Sequence, residues 1–326
     1  MRGRIDRLAD DQPGDASRTV PEVRADRSGH PDHAIRSELA RRLAELPPGH
    51  PSSAGDEKWR AGSSLDSERG RIDAGERGFC SQVSRFEDLW QAHITRWPDK
   101  PSKEPDRRDD PPGSWRGACD RYLSPDDNAV ADKQIALLRE PEPAVTRLLK
   151  QIELENPHGA LLVGVDHRLK GEERLKEKIA DKMSMKGLLN PAEAAAEIND
   201  AVRYTFCVRA DEYVAAHGSV GRQLESAGYR NTYEKNHWLE GANYNGINTR
   251  WTTPDGGVFE LQFHTRESFY AKEQLTHPPY QRLRQQTTTP PERAELLAFQ
   301  REVWAAVPRP PGIAQIPDFL LRRWDD

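Results

Sequence analysis

The sequence predicts an α/β (α+β) fold, a mixed β-sheet of about five strands flanked by helices, preceded by a long low-complexity N-terminal region. Three observations predict it. Residues 1–120 carry 21 Lys and Arg against 23 Asp and Glu, well mixed and interspersed with Pro, Gly and Ser. Such a stretch buries too little apolar surface to offset backbone ordering, about 1–2 kcal/mol per residue. From about Ala129, segments of strict apolar/polar alternation interleave with segments of helical spacing. Their order, helices and a strand followed by a strand meander and closing helices, suits helices packed against a mixed sheet.

The elements follow in order. Phe79, Val83, Phe86, Leu89, Trp90 and Ile94 recur near helical spacing, giving a helix over 79–97 inside the leader. Pro98–Pro112 reads as a linker. Asp132–Arg139 and Pro143–Leu154 are helical, and Ala160–Val165 is a short buried strand. A charged helix runs from Gly171 to about Lys186. Asn190-Pro191-Ala192-Glu193 supplies an N-cap, a first-turn proline and a capping-box glutamate for a helix ending near Ala201. Val202–Val208 alternates as a strand. Asp211–Ala227 is a helix with Gly228 as its stop. Tyr229–Trp238, Tyr244–Thr252 and Val258–Thr265 are strands, the last two joined by the turn Pro254-Asp255-Gly256-Gly257. Helices Glu267–Arg284 and Pro291–Ala306 close the domain. The expected organisation is a leader and linker over 1–125, a folded domain over 126–310 and a tail over 311–326, with Ile316–Leu321 a small docking segment.

Composition excludes several classes. Among 326 residues, 35% are apolar and 31% charged, and the net charge of −5 argues against wholesale coating of DNA. No run approaches the ~18 apolar residues of a membrane span. Met1–Asp6 lacks the apolar stretch of a secretory signal, so the expected site of action is cytoplasmic. Three cysteines, Cys80, Cys119 and Cys207, are odd in number and far apart, which disfavours a disulfide framework or a four-ligand zinc site.

Three constellations could carry chemistry. Lys170, Arg174, Lys178, Lys182 and Lys186 recur every four residues and form one cationic stripe, with Arg168 just ahead. Five of the nine lysines after residue 120 lie between 170 and 186. A triphosphate needs this density of donors; a solvated face with pairs such as Glu172–Lys176 gives the same pattern. The strand Phe259–His264 sends Phe259, Leu261 and Phe263 to one face and Glu260, Gln262 and His264 to the other, which suits a site floor with a general base, or simply a sheet with one wet face. Across the hairpin, Tyr244, Gly246, Asn248 and Arg250 share a face, and Tyr244 can stack on a nucleobase. Asp200, where a helix hands over to a strand, suits a magnesium ligand or a local ion pair.

Taken in order, these segments resemble the synthetase domain of the RelA/SpoT family, the alarmone synthetases. Arg168-Leu169-Lys170 followed by Lys178, Lys235 opening a strand, Tyr244, and Glu260-Leu261-Gln262-Phe263-His264-Thr265 carry the resemblance over roughly 130–285. It implies a nucleotidyltransferase-like fold and transfer of pyrophosphate from ATP to a nucleotide 3′-hydroxyl. It further implies ATP binding by Arg168, Lys170, Arg174 and Lys178, with Arg168, Lys178 and Glu260 in catalysis. Mg²⁺ would sit on Asp200 and Glu260, and the acceptor on Tyr244, Lys235, Asn248, Gln262 and His264. The chain differs from the family where Arg174 replaces a serine, Asn248 a histidine and His264 an arginine, and Asp200 stands three residues before Arg203 instead of five. The resemblance is greatest to stand-alone and toxin-type members. Implied partners are ATP, a GDP/GTP or ADP/ATP acceptor or a tRNA end, and an antitoxin or immunity protein. The alternatives are a tRNA 3′-end pyrophosphokinase toxin, a non-catalytic nucleotide- or RNA-binding module on the same fold, and a structural or delivery protein whose nucleotide pocket is vestigial.

Overall fold

Alternating segments organise the chain, which a computed structural model describes over residues 64–98, 109–186, 190–240, 244–285 and 287–320. The leader through residue 63, the linker residues 99–108, residues 187–189, 241–243 and 286, and the tail residues 321–326 lie outside the described residues. The elements are helix α1 (Ser64–Arg96), a ribbon of β1 (Trp115–Arg116) and β2 (Tyr122–Leu123), α2 (Pro125–Arg139) and α3 (Glu142–Glu155). They continue with β3 (Leu161–Val163), α4 (Glu172–Lys186), α5 (Pro191–Ala196), β4 (Arg203–Val208), α6 (Tyr213–Ser226) and β5 (Arg230–Asn236). After α7 (His237–Glu240) come β6 (Ile247–Thr252), β7 (Val258–Thr265), α8 (Arg266–Tyr270), a π-helical turn (Ala271–Thr276) and α9 (His277–Leu283). The last elements are α10 (Pro290–Ala306) and β8 (Phe319–Leu320).

The sheet is mixed, in the order β3-β4-β7-β6-β5-β8. Only β4 and β7 run parallel; the other pairs are antiparallel. The expected five strands become six because Phe319–Leu320 adds to the β5 edge. One face carries Tyr204, Phe206, Phe259, Leu261 and Phe263 against Val145 and Leu149 of α3 and Val220 and Leu224 of α6, all buried. A satellite core joins Ile135 of α2, Leu175 and Ile179 of α4, and Ala194 and Ala195 of α5. Phe79 and Phe86 of α1 are buried in the main core, as are Ile313 and Ile316, so packing extends on both sides of residues 126–310. Among the described residues no helix is long and apolar enough to cross a membrane.

Several boundaries differ from expectation for physical reasons. The Asn190-capped helix ends at Ala196 instead of Ala201, because residues 201–203 are drawn into bridging with 168–170: Lys170 N donates to Ala201 O (2.9 Å) and Arg203 N to Arg168 O (2.8 Å). Strand β5 stops at Asn236, whose Oδ1 accepts from Trp238 N and whose Nδ2 donates to Ile313 O and Ile316 O. Tyr244 precedes β6 instead of opening it. The expected single helix over 267–284 is widened before Pro278-Pro279, which lack the N–H groups that would continue the α-helical ladder. There Thr276 Oγ1 donates to Ala271 O (2.9 Å).

Candidate active site

The polar face of the sheet forms the floor of a cavity of about 550 Å³. Register sets the floor in rows. Lys235, Asn248, Gln262 and Thr205 lie in one, and Tyr233, Arg250, Glu260 and Arg203 in the next. The alternation of Phe259–His264 therefore acts as expected, with apolar side chains into the core and Glu260 and Gln262 toward the opposite face. One wall is Lys170, just ahead of α4, with Arg174 and Lys178 of α4. The other is the stripe Lys272, Thr276, Tyr280 and Arg284, with Gln300 and Trp304 of α10 behind it.

Two lysines converge on one carboxylate. Lys178 Nζ lies 2.8 and 2.7 Å from the Asp200 carboxylate oxygens, and Lys170 Nζ donates to Oδ2. The bridge between Leu169 and Val202 brings these segments together. Burial alone would raise the Asp200 pKa, but the two ammonium groups outweigh it and hold the carboxyl at about 2. Burial pushes Lys170 down to about 8, opposed by Asp200 and assisted by repulsion from Lys178. The Asp200 direction follows from two cations sharing one anion and the Lys170 direction from burial, in a cluster with one net positive charge.

The floor holds a chain of fixed groups. Lys272 Nζ donates to Gln262 Oε1 (2.9 Å), which turns the amide so that Nε2 donates to Glu260 Oε1 (2.5 Å). Burial lowers the Lys272 pKa, opposed by its ion pair with Glu273 at 2.9 Å. Arg203 lines the cavity with no ion pair or hydrogen bond from its guanidinium among the described residues. Tyr244 stands at the far end, its hydroxyl 2.9 Å from Asn248 Oδ1 and 2.8 Å from His264 Nε2. Burial pushes this hydroxyl well up and the His264 imidazole well below its usual range, so both are neutral. Gly246 is required beneath them, since a Cβ there would meet His264 Cε1 at 2.7 Å.

The cavity wall thus gathers Lys170, Arg174, Lys178, Asp200, Tyr244, Asn248 and Gln262, while Glu260 is not among the lining residues and joins them through its bond from Gln262. Three expected residues are placed elsewhere. Arg168 is turned to Glu142 and to Val165 O (3.0 Å), so it shapes the site through its backbone bond to Arg203. Lys235 is engaged by Asp318 at 2.8 Å. His264 is fully buried under Tyr244, bonded also to Ser268 (2.9 Å), and is no cationic substitute for an arginine. Lys182 leaves the stripe for Glu197 (2.8 Å). Sequence reasoning missed Arg203, Lys272, Gln300 and Trp304; the Pro278-Pro279 pair was the local signal that the helix bearing Lys272 is distorted.

Among the described residues no three His, Cys, Asp or Glu side chains form a metal-holding group. Asp200 and Glu260 are hard oxygen donors, and Mg²⁺ at phosphate sites commonly uses one or two carboxylates with the remaining ligands from water and substrate. Both Asp200 oxygens are already engaged by lysines, so these residues would hold an ion only together with ligands that it brings.

No protein-family model matches the chain, and no curated protein matches it. Several solved structures are similar. The Type VI effector Tas1, solved in complex with its immunity protein, is 18% identical with a TM-score of 0.39, covering 55% of this chain and 96% of that one. A GTP pyrophosphokinase family protein from Streptococcus pneumoniae is 17% identical with a TM-score of 0.37, covering 56% and 89%. The small alarmone synthetase 1 from Bacillus subtilis, bound to its product pppGpp, is 16% identical with a TM-score of 0.37, covering 53% and 87%.

Proposed function

We propose that this protein is an ATP-dependent pyrophosphotransferase acting on the 3′-hydroxyl of a purine nucleotide. The observation that carries the reading is the convergence of Lys170 and Lys178 on Asp200 at one wall of a cavity lined also by Gln262, to which Glu260 is bonded. A polyphosphate needs donors at several points along its length, and Lys170, Lys178 and Arg174 offer them. Arg203, with no anion of its own among the described residues, adds charge where phosphate negativity develops.

In the transfer, the acceptor 3′-oxygen attacks the β-phosphorus of ATP, the bond between that phosphorus and the α,β-bridging oxygen breaks, and AMP leaves. Glu260 takes the hydroxyl proton; the bond from Gln262 Nε2 fixes one carboxylate oxygen and leaves the other to accept. Lys272 holds the amide in that orientation. Tyr244, anchored through its hydroxyl, presents its ring to the acceptor base. Mg²⁺, when bound, would be held by Asp200 and Glu260 and would neutralise charge on the phosphate oxygens.

The test is labelled ATP incubated with GDP, GTP, ADP and bulk tRNA in turn. Label should pass to at least one purine nucleotide, and Glu260→Gln should abolish transfer while ATP affinity stays within about twofold. Retained transfer in that variant removes Glu260 from the role of base. Growth arrest on expression, relieved by the same substitution, is the expected signature if the protein is a toxin.

A further inference from the structure

Most buried amides near the site are locked. Gln262 is held between Lys272 and Glu260, Asn245 Nδ2 donates to Trp304 O (3.0 Å), and Asn236 is bonded through both ends. Gln300 differs. It is 5% exposed and lines the cavity, yet its amide has no hydrogen-bond partner among the described residues. Its amide atoms are not among the fully buried ones left unpaired, so the amide opens to the cavity and its donor and acceptor are available to a bound group. Trp304, one helical turn further along the same face of α10, also lines the cavity and meets Tyr244 edge to face at 5.6 Å between ring centroids.

An amide has one donor and one acceptor end, which suits two neighbouring edge atoms of a flat heterocycle. Adenine offers an amino donor beside a ring-nitrogen acceptor, and guanine offers a carbonyl acceptor beside a ring N–H. The two patterns are reversed in order. A locked amide would choose between them; one with no partner can rotate by 180° and serve either.

We infer that Gln300 is the base-reading residue of the acceptor pocket and that, being unlocked, it makes the protein accept adenine and guanine nucleotides alike. The inference rests on the proposed transferase reading for its assignment to the acceptor, because Trp304 and Tyr244 stand at that end. A base stacked in this aromatic corner would present its edge to the amide.

The test is calorimetric binding of GDP and ADP to the full chain, which requires no turnover. The wild-type affinities should lie within about tenfold of each other. Gln300→Leu should weaken both by about 3- to 10-fold, the worth of one or two neutral hydrogen bonds. It should leave thermal stability nearly unchanged, since no hydrogen bond among the described residues is lost. Gln300→Glu, which only accepts when ionised, should shift the ratio at least about tenfold toward GDP, whose base has adjacent N–H donors. A wild-type preference beyond about tenfold, unchanged affinities in Gln300→Leu, an unshifted ratio in Gln300→Glu, or failure to bind either diphosphate overturns the inference. Binding with these signatures but no label transfer from ATP counts against the transferase reading and leaves the base-reading role standing.

Discussion

Replacing Asp200 with asparagine tests the charge arithmetic of the site directly. The substitution keeps volume and removes the one anion shared by Lys170 and Lys178. The Asp200 side chain is 20% exposed, and its pKa falls from an ordinary 3.8 to about 2 in the folded protein. A carboxyl depressed on folding stabilises the native state above its unfolded pKa, and that contribution is lost as pH falls through the folded value. At about 1.36 kcal/mol per decade, the depression corresponds to about 2 kcal/mol at neutral pH. Roughly half of this should remain near pH 3, and almost none once pH is well below the folded value. Urea unfolding of the wild type and Asp200→Asn across this range measures the difference. The variant should be less stable by about 2 kcal/mol at pH 7, and the gap should close on acidification. Lys170 has the same sign in another window: its folded pKa, about 8 against an ordinary 10.5, means that wild-type stability rises with pH between those values. A wild-type–variant gap that is constant from pH 7 to pH 3 would refute the account, because lost packing does not titrate.

Three further outcomes are expected. Lys178→Met should weaken ATP binding by about 10- to 100-fold in calorimetry, the loss of a charge-assisted bond to phosphate, without affecting assembly of the satellite core, to which Lys178 does not belong. Phe86→Ala should cost about 3–5 kcal/mol in urea unfolding, because Phe86 of α1 is fully buried and packs edge to face on Phe299 at 6.2 Å; a near-neutral result would show α1 to be dispensable. Gly246→Ala should cost about 1–3 kcal/mol, since the new Cβ meets the His264 ring and, at 3.1 Å, the Phe263 carbonyl; NMR should show His264 displaced from Tyr244.

The parts legible in the sequence are those that a strand pleat or a helix repeat dictates. Alternation alone placed Glu260 and Gln262 opposite Phe259 and Leu261, and the shared face of Asn248 and Arg250 followed from the hairpin, whose register pairs Arg250 with Glu260. The four-residue repeat located Lys170, Arg174 and Lys178 on one wall. It could not show where the stripe leaves the site, because the partner that draws Lys182 away, Glu197, comes from another helix. Lys176, off the repeat, is buried against Asp132 of α2 at 2.6 Å. Arg168 and Lys235 were misplaced for the same reason: Glu142 and Asp318, which engage them, are 26 and 83 residues away in sequence. Gln300 and Trp304 were invisible because only the packing of α10 against the sheet brings them to the cavity.

Once the partners are known, the resting site proves to be largely neutralised from within. Lys170 and Lys178 lie on Asp200, Arg174 on Glu177 at 2.6 Å, and Lys272 on Glu273. Anion binding here is therefore an exchange of ligands: each phosphate oxygen gained by a lysine releases a carboxylate that was already bound. The gross attraction of a cation for phosphate overstates the net gain by the value of the pair it breaks. Exchange becomes favourable only if the released carboxylate finds a cation of its own, for otherwise Asp200 and the incoming phosphate stand side by side as like charges in a partly buried wall. A polyphosphate that carries a divalent ion meets that condition and a bare one does not. On the proposed transferase reading, the cluster would therefore favour a metal-bound nucleotide over a bare one.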